Sequence, residues 1–215
     1  MLAMLLLSSV ALAPPARAGS GNVSVSVLQT DGKPVVGAII TLHALDAALR
    51  PAPPMRAAMD QINLAFEPDV LVISVGSTVE FPNTDTTRHQ VYSFSAAHPF
   101  QLPLYRGKPY PPEHFDRAGL VTLGCNIHDD MLAYILVTDA PYFGRTDAAG
   151  NWSASTVPRG RYRVEVWHPR GRDAAHDLER ELRVGDTERA EVTIRLQRAL
   201  RPAPLEGSPH SWDAY

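Results

Sequence analysis

The sequence predicts an all-β protein, and three observations carry that prediction. Val23, Val25 and Val27 alternate with Ser24 and Ser26 at the period of a half-buried strand. Branched and aromatic residues dominate 62–81, and turn residues recur at short spacing after Asp139. With 215 residues the chain can hold one large β domain or two small ones, each able to bury a core.

Taken in order, Met1 to Ala13 are apolar or small, Pro14-Pro15 follows, and Ala16-Arg17-Ala18 has the small-residue pattern of a signal-peptidase site, so 1–18 is expected to be a cleaved signal peptide. An apolar run of about a dozen residues is too short for a bilayer core that needs roughly 20. No membrane span is expected in the mature form, which would be exported to the periplasm. Val23 to Val27 and Ala38 to Leu42, joined through Asp31-Gly32, are expected to form a β-hairpin. Arg50-Pro51-Ala52-Pro53-Pro54 reads as a stiff connector, because proline fixes its backbone angle and donates nothing to a ladder.

Strands are expected at Ile62 to Phe66, Val70 to Val75 and Thr78 to Phe81, with a turn at Gly76-Ser77. The proline-rich stretch 96–119 predicts a long irregular excursion. Leu120 to Leu123 and Leu132 to Thr138 are expected strands, with Gly124 to Met131 as the loop between them. Further strands are expected at Tyr162 to Trp167, Glu181 to Val184 and Ala190 to Leu196, with a helical turn or more in Asp173 to Leu182 and a frayed tail over 198–215.

The formal charge of −3 gives no electrostatic reason to expect a nucleic-acid partner. The single cysteine excludes an intrachain disulfide. An exported lone thiol is buried, bonded to a partner or bound to metal.

Cys125, His128 and Met131 place a thiolate, an imidazole and a thioether at 0, +3 and +6. With 8 His and 5 Met in 215 residues, that spacing from a given Cys arises by chance about once in a thousand. Two imidazoles, one thiolate and a weak axial thioether suit copper, because neither oxidation state obtains its ideal geometry and little rearranges on electron transfer. His89, just after a strand and the turn Asn83-Thr84-Asp85, is the best placed second imidazole. The expected site is therefore His89, Cys125, His128 and Met131 around one copper ion, with the Gln90 backbone amide as a candidate donor to the sulfur. His98 and His114 are candidates for a weaker accessory metal site, and His168 for a structural or surface role.

At these residues the chain resembles the cupredoxin family. Leu64 to Pro68 and Val79 to Asn83 look like the opening strands of plastocyanin-like domains, and the Cys, His, Met spacing is similar to that of amicyanins. His89 to Ser95 and Leu123 to Asp129 resemble stretches of the periplasmic cupredoxin-like proteins called methylamine utilization proteins. The resemblance implies a Greek-key β-sandwich over 55–139, with His89, Cys125 and His128 as strong ligands of a type 1 copper and Met131 as the axial one. Phe143 to Pro169 resembles the late strands, and the hairpin Val23 to Leu42 the first two strands, of transthyretin-like or carboxypeptidase-regulatory-like sandwiches, which implies that the copper domain is inserted into a second sandwich made of 19–50 and 140–197.

The expected function is one-electron transfer without catalysis. The expected partner is a redox protein, such as a cytochrome or a dehydrogenase, with basic residues facing the acidic rim of Asp129 and Asp130. A copper store or chaperone is the alternative. A copper oxidase or nitrite reductase would need further histidines, and no His-x-His occurs. A structural module with a vestigial site is the remaining reading.

Overall fold

The computed structural model describes residues 19–107, 110–185 and 189–203. The expected signal peptide and most of the expected tail lie outside the described residues. Among those described, no helix is long and apolar enough to cross a membrane.

The first strands are β1 (Ser20–Leu28) and β2 (Ile39–Ala44). Val23, Val25 and Val27 are fully buried on one face of β1, each stabilising by roughly 1.5–3 kcal/mol relative to exposure. The Asp31-Gly32 turn forms, with Gln29 and Lys33 hydrogen-bonded across it and Gly32 at φ +87°. The expected hairpin does not, because β1 and β2 enter different sheets. Ile39 to Leu42 are all buried, so β2 hides both faces and cannot serve as the half-exposed partner of β1.

The next strands are β3 (Arg56–Ala58), β4 (Asp60–Ile62), β5 (Ala65–Glu67), β6 (Val70–Ser74), β7 (Ser77–Glu80), β8 (Tyr92–Ser93), β9 (Phe100–Gln101), β10 (Glu113–Phe115), β11 (Gly119–Cys125) and β12 (His128–Thr138). The strand expected over 62–66 is instead the tight hairpin β4–β5, whose turn residues Asn63 and Leu64 sit at φ +52° and +59°. The proline stretch before β3 is tied down rather than free: Ser74 Oγ donates to the Pro53 carbonyl and the Met55 amide to Ser77 Oγ. A five-stranded sheet, β6-β12-β11-β8-β9, faces a three-stranded one, β10-β7-β3. Between them Met59, Phe66, Ile73, Val79, Phe81, Phe115, Val121, Leu123, Ile135 and Val137 form one buried cluster.

The chain ends in β13 (Tyr142–Arg145), β14 (Asn151–Pro158), β15 (Gly160–Trp167), a 3₁₀ turn (Ala175–Leu178), β16 (Arg180–Val184) and β17 (Arg189–Arg195). The helical segment expected over 173–182 is only that one turn. A sheet β14-β1-β17 faces a sheet β13-β2-β15-β16, and Val23, Val25, Val27, Ile40, Leu42, Tyr162, Val164, Val184 and Ile194 fill the space between them. The molecule therefore has two cores, one drawn from 59–137 and the other from 23–42 and 157–196. The strands around them touch where Tyr134 of β12 packs edge-on against Trp167 of β15, ring centroids 5.4 Å apart, and where Arg145 donates to the Val70 carbonyl.

Candidate metal centre

Cys125 ends β11 and His128 opens β12, so the expected eight-residue loop shrinks to the turn Asn126-Ile127. Cys125 pairs with His128, whereas Gly124 pairs with Leu132, and residues 129–131 bulge between those two registers. A bulge re-aims side chains at the end of a ladder. Here it leaves Asp129 and Asp130 exposed, while Met131 turns into the same core cluster as Cys125.

His89 comes from the loop after β7, and that loop is held from three sides. Asn83, 1% exposed, donates from Nδ2 to the carbonyls of Tyr105 and Thr87 and accepts the Asp85 amide. His89 exchanges both backbone hydrogen bonds with Tyr105, each 3.0 Å. Burial pushes the Tyr105 phenol up to about 12, so it stays protonated and donates to the Phe81 carbonyl while accepting from Gln61 Nε2. The His89 ring is thus fixed in backbone position before its side chain meets a partner.

The ring itself is fully buried and is gripped by Asp85, a residue of the turn Asn83-Thr84-Asp85. Asp85 Oδ2 lies 3.0 Å from His89 Nε2 and also accepts the Leu64 amide at 2.8 Å. Burial raises the Asp85 carboxyl, but the Leu64 amide, the His89 ring and the Thr86 amide outweigh it and hold the group well below the usual carboxylate range. A carboxylate can only accept, so it fixes the proton on Nε2 and leaves the lone pair of His89 Nδ1 for the other side. The one sequence signal was the Asp85-x-x-x-His89 spacing in a short loop.

On that other side three donor atoms converge. His89 Nδ1 is 3.1 Å from His128 Nδ1 and 3.8 Å from Cys125 Sγ, and Cys125 Sγ is 3.5 Å from His128 Nδ1. The point equidistant from the corners of a triangle with sides 3.1, 3.5 and 3.8 Å lies about 2.0 Å from each, within the roughly 2.0–2.3 Å that nitrogen and sulfur ligands take to a first-row metal. The donor set and its spacing fit one such ion. Cys125 is 3% exposed and His89 0%, whereas His128 is half-buried, so His128 is the one of the three nearest to solvent.

Among the described residues, His89, Cys125 and His128 form the one group of three or more metal-capable side chains. His98 does not approach His114 in such a group; its Nε2 lies 3.1 Å from Glu113 Oε2, and its ring packs on Phe100 and Phe115. The Gln90 side chain donates to the Leu102 carbonyl, and no hydrogen bond from its amide to Cys125 Sγ is found among the described residues.

Fold and site define an all-β sandwich protein with a buried His-Cys-His cluster at one end of a sheet. Solved structures similar to the chain include a purple cupredoxin from Nitrosopumilus maritimus, at 21% identity and a TM-score of 0.35, covering 38% of this chain and 99% of that one. An amicyanin variant in its reduced Cu(I) form matches at 19% identity and a TM-score of 0.35, covering 46% and 98%. A copper-containing nitrite reductase from Thermus scotoductus matches at 27% identity and a TM-score of 0.36, covering 52% of this chain and 28% of that one. No protein-family model and no curated protein matches the chain.

Proposed function

We propose that the chain is a mononuclear type 1 (blue) copper protein of the periplasm that passes electrons one at a time between redox proteins. His89, Cys125 and His128 are its strong ligands and Met131 its weak axial one. The observation that carries this reading is the triangle of donor atoms, brought together from loops 36 positions apart and sized for one ion.

A bound copper ion supplies a one-electron couple. The chain's own residues hold the donors still: Asp85 orients His89, the Tyr105 backbone pairs with that of His89, and the turn Asn126-Ile127 fixes Cys125 against His128. Met131, 2% exposed, shares the core cluster of Cys125 with Met59, and of the two it is the one only three positions after His128. With the strong positions filled by protein, the arrangement supports a carrier over an oxidase or nitrite reductase, whose substrate needs an open position or a second site. The burial of His89 and Cys125 favours a held ion over the rapid exchange that a store or chaperone requires.

The two cores support a nested arrangement in which residues 55–139 form the copper unit and 19–50 with 140–197 form the second sandwich. The apolar N-terminal segment with its small-residue cleavage pattern supports export. The likeness of 89–95 and 123–129 to periplasmic methylamine utilization proteins supports a cytochrome or dehydrogenase of the same compartment as partner.

One equivalent of cupric ion should give an intense visible sulfur-to-copper charge-transfer band and the narrow copper hyperfine splitting of a type 1 centre in paramagnetic resonance. Cys125→Ser should abolish the band. A pale, ordinary cupric spectrum in the unaltered protein would overturn the carrier reading and favour storage.

A further inference from the structure

Leu132 pairs with Gly124, and Gly124 pairs with Tyr92, so these three positions share one face across β12, β11 and β8. It is the outer face: Ala133 and Leu123 point into the core, whereas Leu132 is 51% exposed. Farther along the same face Tyr134 packs against Trp167 of β15, whereas toward Cys125 the large apolar side chains of Leu132 and Phe94 are exposed. Phe94, 82% exposed, lies on the Tyr92 ring there with centroids 5.1 Å apart. The Tyr92 ring is pressed onto the backbone at Gly124, where an added Cβ would come within 2.9 Å of it. Gly124 is bonded to Cys125, so an aromatic pair runs from solvent to the peptide next to the thiolate.

We propose that Tyr92, Phe94 and Leu132 form a docking surface for a redox protein whose apolar face is rimmed with basic residues, and that Tyr92 is an electron port to Cys125 separate from His128. The electron-port half rests on the copper reading above. The occupant follows from the patch itself. Its three large apolar groups need an apolar counterpart, and the exposed carboxylate of Asp129, three residues before Leu132 on β12, favours positive charge around it. In the transfer, the partner's reduced centre loses one electron and the centre held by Cys125 gains it; no bond forms or breaks and no proton moves. The contact between the Tyr92 ring and Gly124 is the through-space gap on that route.

The test uses a basic cytochrome c, zinc-substituted for binding and iron-containing for kinetics. The double variant Phe94→Ser/Leu132→Ser alters two exposed side chains, so the fold and the visible copper spectrum should be unchanged. Binding of the zinc cytochrome to the metal-free chain, measured by calorimetry, should weaken about tenfold or more, whereas Ile127→Ser, beside His128, should change it less than about twofold. In the copper-loaded protein, Tyr92→Leu, which keeps apolar area, should slow reduction at saturating cytochrome. An acidic cytochrome should bind more weakly than the basic one.

Unchanged binding in the double variant, failure of the unaltered chain to bind, or a loss that follows Ile127→Ser instead would overturn the docking surface. An unchanged saturating rate in Tyr92→Leu would overturn the port. A missing blue spectrum in the unaltered protein would remove the copper reading and the port with it, while the metal-free binding result would still decide the surface.

Discussion

Replacing Asp85 with alanine is expected to weaken copper binding by about 10- to 100-fold, the usual effect of removing the partner that orients a metal-bound histidine. The carboxylate touches no proposed position of the ion. It acts by fixing the proton on His89 Nε2, so that Nδ1 faces Cys125 and His128 with its lone pair. Without it the buried imidazole can take either tautomer, and one of them turns an N–H toward the ion. The same change frees the Leu64 amide, which sits in a turn where water can replace the lost acceptor, so the cost to folding should be small beside the cost to binding. Asp85→Asn keeps an acceptor oxygen and should recover most of the affinity. Competition against a chelator of known strength measures both variants; equal affinity in Asp85→Ala and the unaltered protein would show that His89 is not held in this way.

Met131→Ala is expected to separate a structural role from a ligand role. The side chain is 2% exposed in a core that includes Cys125, Leu123 and Phe66, and truncating such a methionine typically costs about 2–5 kcal/mol. Denaturant unfolding of the metal-free variant should show that loss. If Met131 also supplies the axial thioether, the copper-loaded variant should keep an intense charge-transfer band, because the thiolate and imidazoles remain, but with altered relative intensities and a changed reduction potential. Met131→Leu, which nearly preserves volume, should restore stability and leave the spectral change in place. A copper spectrum identical in Met131→Leu and the unaltered protein would make Met131 a core residue alone.

The all-β class was legible because the strands carry it locally. Val23, Val25 and Val27 are buried on one face of a strand, as their alternation implies, and Val70 to Ser74 is a strand within the run expected over 70–75. Pairing was less legible. The turn at Asp31-Gly32 looks the same in sequence whether its strands return to one ladder or cross to two sheets, and the deciding contacts, with β14 and with parallel β17, come from more than a hundred residues away. The fully apolar Ile39 to Leu42 was the local clue, since a strand with one wet face would alternate.

The donor atoms of His89, Cys125 and His128 lie within 4.8 Å of one another, a closeness that the Cys-x-x-His spacing and the place of His89 after a strand made legible. Two features escaped because they depend on packing. The ladder runs on to Cys125 and His128 because a bulge absorbs residues 129–131, and nothing in Asp129-Asp130 announces it. Asp85 looked like an ordinary turn residue, and its role exists only because the β4–β5 turn delivers the Leu64 amide to the other side of the same oxygen.

X-ray absorption at the copper edge bears most directly on whether one ion is shared by the sole thiol and two imidazoles. For a single equivalent bound to the full chain, the account predicts about two nitrogen scatterers near 2.0 Å and one sulfur at roughly 2.1–2.3 Å, with one imidazole lost in His89→Ala and the short sulfur lost in Cys125→Ser. A shell of nitrogen and oxygen alone in the unaltered protein, or one that His89→Ala leaves unchanged, would contradict it.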